Sequence, residues 1–125
     1  MLKITLFTSN NKRHNYLINL ISKFCAKLFV VQECGTIFSG TVPGHYPVSE
    51  AMNKYFKNVN IAQNKLFGNS YVKKDIKILP IQSGDLNKCS LNFLSDFLKS
   101  DIYVVFGSSY IKGDLVDFLI KKKNN

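Results

Sequence analysis

Few residues in this chain have the type and spacing that chemistry demands. Its two histidines are His14, in the polar stretch TSNNKRH, and His45, set between Gly44 and Tyr46. Histidine titrates near neutrality, so either could touch a substrate, although a surface histidine with no role is the commoner case. The segment GTIFSGT, residues 35–41, has the spaced glycines of a phosphate-binding loop, but Thr41 stands where the lysine belongs. Without that lysine no side-chain charge reaches the terminal phosphates. The first polar turn holds no glycine, so a dinucleotide pyrophosphate has no close backbone approach. No GxSxG elbow occurs. Asp114 and Asp117 are best explained by the dipole of the helix they begin. The three cysteines, Cys25, Cys34 and Cys89, are far apart and odd in number, with no CxxC pair. They suggest neither a metal site nor a disulfide framework.

The elements that must position these residues repeat one theme. KITLF (Lys3 to Phe7) reads as a buried strand, followed by Thr8-Ser9-Asn10-Asn11, good helix-capping residues. Leu17, Leu20, Ile21 and Phe24 then mark one apolar helix face. KLFVVQ (Lys27 to Gln32) is a second strand, and a loop from about Glu33 to Tyr46 leads to a long second helix. Val48, Ala51, Met52, Tyr55, Phe56, Val59 and Ala62 mark that helix, with Pro47 acceptable at its first turn. DIKILPI (Asp75 to Ile81) is a third strand, with Pro80 suited to its end or to a sheet edge. Leu91, Leu94, Phe97 and Leu98 predict a short third helix. DIYVVF (Asp101 to Phe106) is a fourth strand, and Asp114 to about Lys122 a fourth helix. Such alternation predicts an α/β fold: one Rossmann-like parallel sheet of about four strands with helices on both faces, in a single domain over residues 1–125. Ligands in such sheets sit beyond the carboxyl ends of the strands, near the switch in strand order. For the turn from Gly107 to Gly113 the plain alternative is a strand–helix connection whose serines cap the helix.

The net charge of +9 resembles a nucleic-acid signal, but sixteen of the seventeen basic residues are lysine and Arg13 is the one arginine. The lysines are dispersed along the chain, whereas a nucleic-acid face clusters its charge and favours arginine. A solvated surface is the reading we adopt, and a nucleic-acid partner is not expected. The longest apolar runs are about five residues, far short of the roughly 20 that span a bilayer, so no membrane partner is expected. The first residues are broken by Lys3 and Thr5 and do not read as a signal peptide. Reduced thiols and the absence of a leader predict a cytoplasmic location.

The order of the pieces resembles the N-terminal half of the folate-dependent formyltransferases, the family acting on methionyl-tRNA, glycinamide ribonucleotide and amino sugars. Three segments carry the likeness: KITLFTSNNKRHNYLINLI, KLFVVQECGTIF and SDIYVVFGSSYIKGDLVDFL. The resemblance covers nearly the whole chain, through hydrophobic patterns rather than invariant motifs. It implies a Rossmann-like fold, 10-formyltetrahydrofolate as formyl donor and a substrate amine as acceptor. It places Ser108, Ser109, Tyr110 and Ile111 against the pterin ring, and Ser9, Asn10, Arg13 and His14 on the substrate side.

The family's catalytic Asn-x-His does not occur in this sequence, and no residue matches a catalytic position. The resemblance therefore implies a chain truncated before the next strand and inactive by itself. In the family's strand order the fourth strand is internal, so IYVVF is expected at an exposed edge, a site of self-association. The alternative is a stand-alone, non-catalytic Rossmann-like module that binds a small ligand or a protein partner.

Overall fold

The computed structural model describes residues 2–35, 49–68 and 75–123. Most of GTIFSGT, His45, Pro47 and Val48 lie outside the described residues. Four strands form one parallel sheet: β1 (Lys3–Ser9), β2 (Lys27–Cys34), β3 (Lys77–Gln82) and β4 (Ile102–Val105). Their spatial order is β3-β2-β1-β4. The chain steps outward from β1 to β3, then crosses back to lay β4 on the other side of β1. That reversal puts the switch point between β1 and β4. The expected α/β architecture is the observed one.

The period of two along each strand divides the core between the two faces. Leu6 and Val30 point to one face and join Ile18, Cys25 and Leu28. Phe7 and Val31 point to the other and join Leu86, Leu94, Phe97, Leu98 and Leu115. The first face is covered by α1 (Lys12–Ser22), the second by α3 (Gly113–Lys123) and the segment before β4. The long α2 (Glu50–Phe67) begins at Ser49, whose hydroxyl accepts the Met52 N–H at 3.1 Å. It has no buried residue and lies against α1, through Tyr16–Phe67 ring contact at 5.2 Å and the pairs Lys12–Asn64 and Arg13–Gln63, both at 2.6 Å.

Three expectations need correction. The buried line of α1 is His14, Ile18 and, partly, Ile21, while Leu20 and Phe24 are exposed. The apolar spacing fits two adjacent faces, and the sheet takes the one that also fits His14. The predicted third helix, over Leu91 to Leu98, is instead a run of turns ending in the 3-10 turn Ser95–Phe97, with another 3-10 turn, Leu86–Lys88, ahead of it. Ser90 accepts the Phe93 N–H at 3.0 Å on its hydroxyl and the Leu94 N–H at 3.1 Å on its carbonyl. The bonds of Ser95, Phe97 and Leu98 then run three residues back, as Ser-, Asn- and Asp-rich sequence favours over a regular helix. Leu94, Phe97 and Leu98 are buried nonetheless. Finally, the capping role given to Ser9, Asn10 and Asn11 is not met: β1 runs through Ser9, and the N-cap Asn11 makes no side-chain capping bond.

Candidate ligand site at the switch point

At the carboxyl end of β1 and β4 three elements converge: the end of β1, the first turn of α1 and the Gly107–Lys112 connection. Phe106 N–H donates to the Phe7 carbonyl at 2.9 Å, carrying the β1–β4 pairing to the edge of this connection. The Ser9 hydroxyl donates to the Gly107 carbonyl. Gln32 Nε2 donates to the Ser9 carbonyl at 3.1 Å and to Asn15 Oδ1 at 2.9 Å, locking β2, β1 and α1 together.

The strongest anchor is Glu33, at the end of β2 and almost wholly buried. Its Oε2 accepts the Ser109 backbone N–H at 3.0 Å and the Ser109 hydroxyl at 2.8 Å. From the far side Asn87 clamps the same connection, donating to the Tyr110 carbonyl at 2.6 Å and accepting the Lys112 N–H at 2.8 Å. The connection is therefore held in place before any ligand arrives. Glu33→Gln keeps the size and one oxygen to accept the two Ser109 donors, but puts an amide N–H₂ where the second carboxyl oxygen is buried. It is expected to cost about 1–3 kcal/mol by chemical denaturation, and Ser109→Ala about 1–2 kcal/mol.

His14 is 2% exposed and packs edge-on to Phe106, ring centroids 5.6 Å apart. Its Nδ1 has no hydrogen-bond partner among the described residues. Burial, and secondarily the neighbouring Arg13 charge, lower its pKa to about 4, so it is a neutral imidazole at pH 7. Arg13 itself extends away from the turn to Gln63 on α2.

The structure thus brings Ser9 and His14 to Gly107 and Phe106, at the start of the turn that carries Ser108–Ile111, and directs Arg13 elsewhere; Asn10 is exposed at the end of β1. Within the segment the parts differ. Ser109 is turned to Glu33, the Ser108 hydroxyl donates to the Ser109 carbonyl at 3.0 Å, and Ile111 packs on the core. The Tyr110 ring is 89% exposed and is the surface the turn offers outward. Sequence reading passed over Glu33, Gly107 and Asn87. An acid ending an apolar strand run, VVQE, is the signal that could have found Glu33, since an acid there is buried with the strand. Among the described residues no serine or cysteine is hydrogen-bonded to His14, and no group of three His, Cys, Asp or Glu could hold a metal ion.

Fold and site together define a Rossmann-like α/β module with a pre-organised turn at its switch point. Comparisons with protein-family models, with curated proteins and with solved structures found no match. Among the described residues no helix is long and apolar enough to cross a membrane.

Proposed function

We propose that the switch-point turn binds a reduced folate of the 10-formyltetrahydrofolate type, with formyl transfer to an amine as the reaction class served, in the cytoplasm. The observation that carries this reading is the Gly107–Lys112 turn itself, clamped by Ser9, Glu33 and Asn87 where the strand order reverses. Planar ligands are held at such positions by backbone and an exposed ring, and Tyr110 supplies the ring. Ser108, Ser109, Tyr110 and Ile111 form the pterin-side wall in this reading. Ser9, Asn10 and His14 lie on the acceptor side in this reading, with Ser9 and His14 supporting the wall from behind, while Arg13, bonded to Gln63, is turned away from it. The role of this chain is binding, because the Asn-x-His that would polarise the formyl group does not occur in it.

Titration calorimetry with 5-formyltetrahydrofolate, a stable analogue of the donor, tests the assignment. Binding tighter than about 1 mM is expected, weakened about 3- to 10-fold by Tyr110→Ala through loss of ring stacking. No heat at millimolar ligand removes the folate assignment.

A second reading, a non-catalytic module for another small ligand, is favoured by one observation. Ser109 N–H and hydroxyl are both turned to Glu33, leaving fewer donors for a pterin. Under that reading the analogue fails while another planar ligand still raises the melting temperature.

A further inference from the structure

The two outer strands of the sheet are built differently. β3 carries Lys77 at its start and Pro80 within it, two devices that discourage a further strand from pairing. β4 has neither. It reads IYVV, continues into Phe106, and pairs only with β1 among the described residues. Ile102, Val105 and Phe106 are 41%, 49% and 48% exposed. Beside β4 a groove of about 370 Å³ is lined by Asp101, Ile102, Tyr103, Val105, Leu119 and Lys122. The groove sets Lys122, from the end of α3, next to Asp101 and Ile102, from the start of β4. Helix α3 therefore runs antiparallel to β4. Its charge is divided along its length, with Asp114 and Asp117 early and Lys121 and Lys122 late, all four exposed.

We propose that β4 pairs antiparallel with β4 of a second copy of this chain, joining two four-stranded sheets into one of eight. Centred on Val104, a two-fold axis perpendicular to the sheet keeps every side chain on its own face. It sets Ile102 opposite the partner's Phe106 and Tyr103 opposite the partner's Val105. The exposed apolar residues of the edge thus cover one another. Charge selects this arrangement over a parallel partner strand. Antiparallel pairing runs α3 against the partner's α3, with Lys121 and Lys122 facing the partner's Asp114 and Asp117, and the symmetry repeats the match. A parallel copy would oppose acid to acid and lysine to lysine. Such a contact is self-complementary and closed, so it stops at two chains. The pairing stands independently of the folate reading.

Sedimentation of the purified chain tests it. A reversible species of twice 14.2 kDa is expected between about 5 and 200 μM, the range of modest interfaces. Val105→Lys, a charge on an exposed edge position, is expected to abolish it. The decisive pair of variants recharges α3. One carries Asp114→Lys and Asp117→Lys and is basic at both ends; the other carries Lys121→Glu and Lys122→Glu and is acidic at both ends. Each alone is expected to self-associate about tenfold more weakly, and the two mixed are expected to form a heterodimer. All four positions are exposed, so these variants decide the matter even if Val105→Lys does not fold. A wild-type chain that stays monomeric at about 200 μM overturns the proposal. So does association that survives Val105→Lys in a folded protein, open-ended growth, or recharged variants that fail to pair with each other.

Discussion

Gly107→Ala is expected to lower stability by about 2–4 kcal/mol, combining an unfavourable left-handed backbone with overpacking. Gly107 has φ +76°, and a Cβ there would press on the imidazole of His14, 2.8 Å from Cδ2 and 3.1 Å from Cε1. An exposed side chain would swing aside, but His14, on the first turn of α1, is buried against Phe106. Either the ring leaves its site or the connection moves off Ser9, and the second displaces the Ser108–Ile111 wall. Binding of the folate analogue should weaken together with stability. Gly84 supplies the control. Its φ of +89° is equally left-handed, yet a Cβ added there would meet nothing within 4 Å. Gly84→Ala is expected to cost only about 1 kcal/mol, the backbone share alone. Equal denaturation midpoints for the two variants would show that the contact with His14 does not constrain the turn.

Acid should unfold this protein earlier through the same histidine. In the unfolded chain His14 titrates at its ordinary value of about 6.5. In the fold, burial first and Arg13 second hold it to about 4. Between these values the unfolded state binds the proton and the folded state does not, so stability falls as pH falls. The loss begins near pH 6.5 and is complete below about pH 4, where folded His14 is also charged. From pH 7 to pH 5 it amounts to about 2 kcal/mol, from the linkage between the two pKa values. Urea midpoints at the two pH values measure it. In His14→Asn the His14 contribution to the slope should vanish, whatever that substitution does to stability at pH 7. A slope that persists unchanged in His14→Asn would assign the acid sensitivity to other groups.

The strands were legible because four nearly unbroken apolar runs stand out between polar segments; burial explains the runs of β1 and β2, whereas β3 and β4 keep theirs although no residue in them is fully buried. Their order was not legible, since an apolar run does not say which neighbour it pairs with. Residues that serve two elements were the least legible. His14 looks like a surface residue in TSNNKRH, yet it lies in the buried line with Ile18 because α1 turns that face to the sheet. Glu33 ends an apolar strand as an acid, and its meaning depends on Ser109, 76 residues later. The segment before β4 has helical spacing but takes 3-10 turns, since its serines and asparagines offer the backbone local partners that periodicity does not register. The candidate turn was found because its position follows from topology, whereas its anchors come from other elements.

The central place of β1 has a cost in time. Its first residues are closed on one side only by the last strand: Lys3 N–H donates to Asp101 Oδ2 and the Lys3 carbonyl accepts the Asp101 N–H, both at 2.9 Å. These partners are 98 residues apart. At about 5–20 residues per second, a ribosome takes roughly 5–20 s to deliver the second after the first. Through that interval β1 and β2 can pair, but the flank of Leu6 and Phe7 that β4 will cover stays open. The nascent chain thus carries an unsheathed apolar flank on β1 until β4 has been made.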